Sequence, residues 1–263
     1  MTSPAVVLSI AGTDSGGSAG LAADLTTFAA LGAHGCCAVT AVTAQSTTGV
    51  DSIVPLAATD VQAQMVAVLE DLPVAAAKAG MLGSAQTAYV VADLVAGSVP
   101  LVIDPVLVAT SGATLGDDAL VAAYRDVLLP KCTVVTPNLD EAARLTGLDP
   151  QRPAIEIARA LHEIAPAVVL TGGDPSAQVC RDVVIDTIGR LTVLEHPTVP
   201  SGNDHGTGCT FSAALAVHLA HGLDLQSAVR LAQAFVAAAL TISASWELGR
   251  GRGPVAHVFN HPH

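Results

Sequence analysis

The chain has 263 residues, of which 51% are hydrophobic, and this length suffices for one large α/β domain with a substantial core. Only 13% of the residues are charged, and 23 acidic against 11 basic residues give a formal net charge of −12. Because the basic residues form no cluster, we do not expect a nucleic acid partner, and a small ligand that is neutral or neutralised by a metal suits the composition better.

The cysteines and the N-terminus predict a cytoplasmic protein. The five cysteines are odd in number and show neither disulfide-like nor zinc-like spacing, as expected in a reducing cytosol. No basic segment precedes the first apolar run, which is unlike a signal peptide. The most hydrophobic stretch, residues 228–245, is interrupted by polar side chains and predicts a buried helix rather than a membrane span.

Short apolar runs alternate with helical patterns along the first two thirds of the chain. The apolar runs predict strands at residues 6–11, 36–41, 75–79, 101–104, 133–136 and 167–171. Between them, the periodicity predicts helices near residues 20–31, 60–71, 85–96, 117–129, 138–146 and 153–164. This alternation predicts an α/β fold, with a mainly parallel sheet covered by helices on both faces.

The last third of the chain departs from this alternation. Residues 179–186 and 190–199 are typical of a β-hairpin, and helices are predicted at residues 207–221 and 224–243. Since no linker, compositional shift or internal repeat marks a boundary, we predict a single domain over residues 1–263.

Polar and glycine-rich segments follow the predicted strands, at the edge where open α/β sheets bind ligands. Residues 12–20 lack the Walker A and Rossmann spacings, so this segment is either a loop that closes over a ligand or a tight turn before a capped helix. Asp104 and Glu141 follow different strands and together suit Mg²⁺, which binds a few carboxylates with water and phosphate. Taken singly, each is better explained as a helix cap or a solvated acid.

The segment that ends at Cys209 indicates an anion site. Gly206, Thr207 and Gly208 form a turn into a predicted helix, where backbone N–H groups and the helix dipole favour an anion. The same field favours the thiolate of Cys209, a potential base. The alternative is a helix start whose cysteine fills a small apolar space. His205, just before the turn, is either a proton donor or a residue that ties the loop to its neighbours.

Six segments occur in an order that is itself informative. They are SIAGTDSGGSAGLAADL (residues 9–25), TAQSTTGV (43–50), KAGMLG (78–83), DPVLVATSG (104–112), TPNLDEA (136–142) and HGTGCT (205–210). This series, followed by LGRGRGPV (248–255), resembles the hydroxymethylpyrimidine/phosphomethylpyrimidine kinases of thiamine biosynthesis over nearly the whole chain. The resemblance implies the ribokinase-like α/β/α sandwich of three layers, ATP, Mg²⁺ and a homodimer.

The resemblance also implies roles at the substrate end of a site. Gln45 would recognise the edge of an aminopyrimidine, since an amide places a donor beside an acceptor. Four further residues would complete the pyrimidine pocket: Gly12, Asp24, Met81 and Val108.

At the phosphoryl end, the turn formed by Gly206, Thr207 and Gly208 would be an anion hole, and Cys209 would accept the proton of the substrate hydroxyl. Asp104 and Glu141 would hold Mg²⁺ against the ATP phosphates. ATP itself would be bound through Asn138, Thr171, Gly173 and His205.

Two segments differ from the pattern of that family. Thr171 stands where a lysine usually precedes the two glycines, and the run from Ser201 to Gly206 replaces Thr-Lys-Asn-Thr-His-Gly, with Gly202 and Asp204 in place of lysine and threonine. Two cations near the ATP phosphates would therefore be missing, and Asp204 would add a negative charge. We therefore expect the site to depend more heavily on Mg²⁺ and backbone amides.

These observations predict a kinase that uses ATP and Mg²⁺ to phosphorylate 4-amino-5-hydroxymethyl-2-methylpyrimidine and then its monophosphate. A pyridoxal or pyridoxine kinase is the alternative within enzymes, because that branch shares the Gly-Thr-Gly-Cys loop and its substrate is also a flat ring bearing a hydroxymethyl group. The alternative to an active enzyme is a pyrimidine-binding protein with weakened catalysis, which Thr171 and Gly202 would explain. No membrane partner is expected.

Overall fold

The computed structural model describes residues 3–107, 115–172 and 177–257. The strands in these ranges are β1 (Val6–Ala11), β2 (His34–Val39), β3 (Ala41–Ser46), β4 (Gly49–Pro55), β5 (Val74–Ala79), β6 (Leu101–Ile103), β7 (Val134–Val135), β8 (Val168–Leu170), β9 (Val179–Ile185) and β10 (Leu191–Pro197). The α-helices are α1 (Gly20–Ala30), α2 (Ala58–Asp71), α3 (Ala85–Leu94), α4 (Asp118–Ala123), α5 (Leu139–Thr146), α6 (Ala154–His162), α7 (Thr207–Ala220) and α8 (Leu225–Ser243).

The main sheet has the order β10-β9-β8-β7-β6-β5-β1-β2. The neighbouring strands pair in parallel along the series β8, β7, β6, β5, β1 and β2. Strand β9 pairs antiparallel with both β8 and β10. The predicted hairpin at the end of the sheet is therefore confirmed. Because the parallel strands share one direction, their carboxyl ends meet along a single edge, which is where the site is built.

Helices cover both faces of this sheet and form two apolar cores. One core joins the sheet to α2, α3, α4, α5 and α6, and the other joins it to α1, α7 and α8. The central strands are buried on both faces, as in the six consecutive buried residues of β1. The predicted three-layer α/β/α sandwich is thus confirmed.

The principal difference from the sequence prediction is a separate two-stranded sheet. The apolar run at residues 36–41 was expected to be one strand, but β2 ends at Val39 and the chain continues into β3, which pairs antiparallel with β4. The side chains of β4 are largely exposed, so no buried face produces an apolar alternation in the sequence. This hairpin places Gln45 on a strand rather than in a loop.

Two helices differ from their predictions in detail. The helix expected at residues 117–129 is α-helical only to Ala123, then continues as a π-helical turn, Tyr124–Leu128, and a 3₁₀ turn, Leu129–Lys131. Helix α8 buries one face against α7 and leaves Leu231 and Ile242 exposed, so the predicted buried helix is only half-buried. By length and composition α8 is the one helix among those described that could cross a membrane.

Candidate active site

A cavity of about 750 Å³ lies at the carboxyl edge of the main sheet. Its walls come from the loops that follow β1, β5, β6, β7 and β8, and from the first turn of α7. Most of the residues proposed from the sequence line it: Gly12, Gln45, Met81, Asp104, Asn138, Glu141, Thr171, His205, Gly206, Thr207, Gly208 and Cys209. Val108 and Gly173 lie outside the described residues.

The loop after β1 is organised by a buried carboxylate, Asp14. Its oxygens accept hydrogen bonds from the backbone N–H groups of Gly16, Ser18 and Ala19 at 2.8, 3.0 and 2.9 Å. Burial alone would raise the pKa of Asp14, but the hydrogen bonds from His205 and from this backbone hold it below its usual value. Helix α1 has no side-chain cap, so the loop is not the capped turn of the alternative interpretation.

The β3–β4 hairpin is attached to this loop and brings Gln45 to the cavity. Thr43 donates its backbone N–H to Thr13 Oγ1 at 3.1 Å and its hydroxyl to the Thr13 carbonyl at 2.8 Å. The Ser15 hydroxyl joins the backbone of Gln45 on both sides, at 2.7 and 2.8 Å. These hydrogen bonds fix the backbone of Gln45 to the loop after β1, and Gln45 lines the cavity.

His205 lies between Gln45 and Asp14. Its Nε2 atom is 3.0 Å from Gln45 Nε2 and 3.4 Å from Asp14 Oδ2, and the side chain is buried. Its backbone N–H donates to the carbonyl of Gly253 at 3.1 Å. His205 therefore lies among the residues expected at the pyrimidine end. It connects the loop after β1, through Asp14, to the C-terminal segment, through Gly253.

The turn before α7 requires glycine at its first position. Gly206 has φ +88°, and a Cβ atom there would lie 1.8 Å from the backbone oxygen of Ser18. The close approach of these two loops positions the first turn of α7 against the cavity, where Gly208 and Cys209 line the wall. N–H groups in the first turn of a helix have no acceptor within the helix, which suits them to bind an anion.

Cys209 is half-buried and faces an unusual set of charges. Burial raises the pKa of its thiol to about 12, because the charge of Lys78 and the N–H of Gly20 only partly offset burial and the charges of Asp104 and Asp24. The expectation that the helix start favours the thiolate is therefore wrong for the ligand-free protein, in which the neutral thiol is the stable form.

Asp24 does not line the cavity, contrary to its expected place in the pyrimidine pocket. It is fully buried behind the wall, where its carboxylate lies 2.9 and 3.0 Å from the ammonium of Lys78 and accepts the hydroxyl of Ser9. Lys78 itself lines the cavity and lies 3.6 Å from Asp104. Asp24 thus supports a cavity residue from behind.

Lys78 was not among the residues proposed from the sequence. Burial alone would lower its pKa, but the negative charges of Asp24, Cys209 and Asp104 raise it above the usual value, so the side chain stays charged. A signal was present, since a lysine at the end of a doubly buried strand requires a carboxylate partner. The sequence did not show which carboxylate is the partner of Lys78.

Asp104 and Glu141 form a buried acidic pair. Asp104 accepts the hydroxyl of Ser212 at 2.9 Å, and Glu141 accepts the backbone N–H of Asn138 at 3.0 Å. Burial, followed by the charge of Asp104, raises the pKa of Glu141 to about 8. The expected helix-cap role of Glu141 is also present, because Glu141 and Asn138 form a capping box at the start of α5.

This pair fits a divalent cation. The negative charge of Asp104 opposes ionisation of Glu141, and a cation between the two carboxylates would relieve this repulsion. Mg²⁺ commonly takes one or two protein carboxylates with water and phosphate. Within the described ranges, no group of three or more His, Cys, Asp or Glu side chains has metal-binding geometry. The remaining ligands of such a cation would therefore have to come from phosphate and water.

The far end of the cavity contains Thr171 and, next to it, polar residues that the sequence did not indicate. Asp182 on β9 is buried, accepts the backbone N–H of Gly172 at 2.7 Å and the side-chain amide of Gln233, and lies 3.5 Å from His196. Thr171 donates its hydroxyl to the Pro137 carbonyl at 3.3 Å. These contacts join β8, β9, β10 and α8, which no local pattern connects.

The C-terminal segment closes the cavity near Asp204. Both carboxylate oxygens of Asp204 receive hydrogen bonds from Arg252, each at 2.6 Å. Arg252 therefore compensates the negative charge that Asp204 was expected to add near the ATP phosphates. Backbone hydrogen bonds from Gly253 to Gly202 and from Val255 to His205 hold the same segment against the loop.

Comparison of the sequence with known proteins gives one family. The family model "Phosphomethylpyrimidine kinase" matches residues 14–256. The chain is 46% identical over 258 residues to a hydroxymethylpyrimidine/phosphomethylpyrimidine kinase of Rhizobium meliloti, covering 96% of this chain and 97% of that one. It is 44% identical over 264 residues to the enzyme of the same name from Haemophilus influenzae, covering 95% and 96%.

Solved structures agree on the fold and divide between two activities. The chain is similar, with a TM-score of 0.86 and 31% identity, to the Staphylococcus aureus pyridoxal kinase in complex with AMP-PCP and pyridoxal, covering 97% of this chain and 94% of that one. It is similar, with a TM-score of 0.76 and 30% identity, to a phosphomethylpyrimidine kinase of Clostridium difficile, covering 89% and 99%.

Proposed function

The chain belongs to the phosphomethylpyrimidine kinase family, and we propose that its cavity transfers a phosphoryl group from ATP to 4-amino-5-hydroxymethyl-2-methylpyrimidine and then to the monophosphate. It is thus a phosphotransferase of thiamine biosynthesis. One observation supports this most strongly: a single cavity contains both the Gln45 end, suited to a polar ring edge, and the turn before α7, suited to phosphate.

At the pyrimidine end, the amide of Gln45 offers a donor and an acceptor to the ring edge. Gly12 allows the Met81 side chain to pack against the loop after β1, because a Cβ atom at Gly12 would lie 2.3 Å from the terminal methyl of Met81. Met81 contributes an apolar face, and Val108 is proposed for the same role. Binding would replace the contact between Gln45 and His205 with a contact to the substrate.

At the phosphoryl end, we assign Cys209 as the base. Because the Cys209 thiol is neutral in the ligand-free protein, it would first lose its own proton to solvent. The hydroxyl oxygen of the substrate then forms a bond to the γ-phosphorus while the bond to ADP breaks, and the hydroxyl proton passes to the thiolate sulfur. The transition state of phosphoryl transfer is largely dissociative, so positioning and charge stabilisation supply most of the catalysis. The N–H groups around Gly206, Thr207 and Gly208 would stabilise the charge on the transferring group.

The nucleotide would extend toward the other end of the cavity, near Asn138, Thr171, Gly173 and the polar residues around Asp182. ATP use agrees with the related kinases that have been solved with ATP analogues. Asp104 and Glu141 would hold Mg²⁺, which neutralises phosphate charge in this reaction class. His205, first proposed for ATP, is better placed to support Gln45.

We also propose that residues 1–263 form one kinase domain that acts as a homodimer in the cytoplasm. The β3–β4 hairpin exposes Val42 and Val54, which are 49% and 60% accessible and pair across the two strands. A second copy of the chain would cover this apolar pair. The cysteines in the described ranges are free thiols, in agreement with a reducing compartment.

Pyridoxal phosphorylation is the second candidate, because structures solved with pyridoxal share the fold at 31% to 33% identity. Coupled ADP release with the hydroxymethylpyrimidine, its monophosphate and pyridoxal as separate substrates distinguishes the two. We expect the highest kcat/KM with the hydroxymethylpyrimidine. A higher kcat/KM with pyridoxal would reverse the assignment, and tight pyrimidine binding without turnover of any substrate would indicate a binding protein.

A further inference from the structure

A chain of buried hydrogen bonds reaches the turn before α7 from the C-terminal segment, residues 249–257. The Nε2 atom of His257 lies 2.9 Å from Thr210 Oγ1, and the Thr210 hydroxyl lies 2.9 Å from the carbonyl oxygen of Gly206. Thr210 is fully buried, and His257 is 8% exposed. The C-terminal segment is therefore connected, through one side chain of α7, to the first residue of the turn.

The chemistry of the three groups fixes the direction of both hydrogen bonds. A carbonyl oxygen only accepts, so the single hydroxyl proton of Thr210 is donated to Gly206. The Thr210 hydroxyl must then accept from His257, whose Nε2 atom carries the proton. Burial lowers the pKa of His257 to about 4, so the imidazole is neutral at neutral pH and is present as the Nε2–H tautomer.

The turn needs support from outside its own residues. Gly206 and Gly208 stand on either side of Thr207, and glycine has the largest conformational freedom of all residues. The Gly206 carbonyl accepts both the backbone N–H and the hydroxyl of Thr210. Within a helix the carbonyl groups point toward one end and the N–H groups toward the other. The direction of the Gly206 carbonyl therefore sets that of the N–H groups of Gly208 and Cys209 on the cavity wall.

We propose that His257 is a positioning residue for the turn before α7, which it holds through the hydroxyl of Thr210. This role rests on the proposed function of the turn as an anion site for the transferring phosphoryl group. The imidazole is well placed to act as a support, because Val255 on the same segment donates its backbone N–H to the His205 carbonyl at 3.3 Å. Donors that are oriented before the reaction stabilise a developing charge most effectively.

Binding of inorganic phosphate tests this proposal without turnover. The full chain, isotopically labelled and in a buffer with MgCl₂, is titrated with phosphate while NMR follows the backbone amide signals of Gly206 and Gly208. His257→Phe keeps a ring but removes the donor, and it should weaken phosphate binding about fivefold, the effect of one hydrogen bond. The affinity for the hydroxymethylpyrimidine, measured by calorimetry, should stay unchanged. A general disturbance of the C-terminal segment would reduce both affinities.

Further variants separate positioning from packing. His257→Gln places an amide N–H where the imidazole donor stood, and it should restore most of the phosphate affinity. Thr210→Val removes the hydroxyl and should weaken phosphate binding as much as His257→Phe does. The double variant should lose no more than either single variant, because both changes interrupt the same chain of hydrogen bonds.

Phosphate affinity in His257→Phe equal to that of the wild type would overturn the proposal, as would additive losses in the double variant. If His257→Phe fails to fold, the other two single variants decide. Near-wild-type affinity in His257→Gln together with a loss in Thr210→Val supports the role of His257, and any other result overturns it.

Wild-type kinase activity is measured in parallel, so that the two proposals are judged separately. A wild-type chain that does not bind phosphate at the turn overturns the role of His257, and if kinase activity is also absent the proposed function is overturned as well. An active wild-type chain whose phosphate binding is unaffected in His257→Phe overturns the role of His257 alone.

Discussion

The guanidinium of Arg252 and the carboxylate of Asp204 form a two-point ion pair, with both N–O distances at 2.6 Å. Both residues line the cavity, so the pair places a neutralised carboxylate beside the anion turn. Arg252 comes from the C-terminal segment, which also contacts the β3–β4 hairpin through hydrogen bonds from Arg250 and Gly251 to Thr47.

Arg252→Ala should raise the KM for ATP, because Asp204 would then present an uncompensated negative charge near the phosphates. The Arg252 side chain is 54% exposed, which limits the expected change to about two- to fivefold. Steady-state kinetics at low salt measure this change in the KM for ATP. Asp204→Asn in the same chain should restore the KM, and the neighbouring Arg250→Ala serves as a control. No recovery in the double variant would contradict the charge argument.

Gln45→Ala should weaken pyrimidine binding while the KM for ATP stays nearly unchanged. Loss of the amide leaves the polar ring edge without its partner, which costs about 1–3 kcal/mol, or roughly five- to 150-fold in affinity. Isothermal titration calorimetry with the hydroxymethylpyrimidine measures the change. Gln151→Ala, on an exposed loop, is the matched control, and unchanged affinity in Gln45→Ala would exclude the proposed recognition.

Cys209→Ala should lower kcat and leave pyrimidine affinity nearly intact. General bases contribute about 10²- to 10⁴-fold to rate, so a loss of about 10²-fold or more is expected. Stopped-flow or coupled assays at saturating substrate measure kcat, with Cys37→Ala, which does not line the cavity, as the control. If kcat stays within a few-fold of the wild type, Cys209 is not the base, and the turn before α7 acts only as an anion hole.

Glu141 should make the metal-free protein less stable as the pH rises from about 6.5 to 8. Its pKa in the folded state is raised to about 8 from 4.5, so in this range the folded protein binds more protons than the unfolded chain. His257, whose pKa burial lowers to about 4, acts in the opposite direction only below its ordinary value of 6.5.

Urea unfolding at several pH values, in EDTA, measures this dependence of the free energy of unfolding. Glu141→Gln should flatten the slope between pH 6.5 and 8, because the amide does not titrate. Asp140→Asn, a change in the neighbouring residue, should leave most of the slope in place. An unchanged slope in Glu141→Gln would assign the dependence to other groups.

Val54→Asp should dissociate the proposed homodimer, because a carboxylate would be buried where Val42 and Val54 meet the second copy. Sedimentation velocity measures the distribution of species, and Ile188→Asp, at an 84% exposed turn, is the control. A wild-type chain that sediments as a monomer at micromolar concentration would contradict the dimer directly.

The sequence determined the features that depend on neighbours along the chain. Apolar runs and helical periodicity identified the main sheet and its helices, and the residues after the strands identified Asp104 and Glu141. The latter two lie together at the cavity because the carboxyl ends of parallel strands must converge on one edge. The turn before Cys209 was identified by its glycines and the helical pattern that follows them. The β3–β4 hairpin escaped prediction because its exposed side chains produce no apolar period.

Tertiary structure alone decided which charges meet. Lys78 and Asp24 are 54 positions apart, and Arg252 and Asp204 are 48 apart, so no spacing rule pairs them. The consequences extend to chemistry, because the high pKa of the Cys209 thiol follows from burial and from carboxylates on other elements. Local sequence specified which groups stand at the edge of the sheet, and packing set the charge environment in which they act, because electrostatic energies depend on distance and burial rather than on order along the chain.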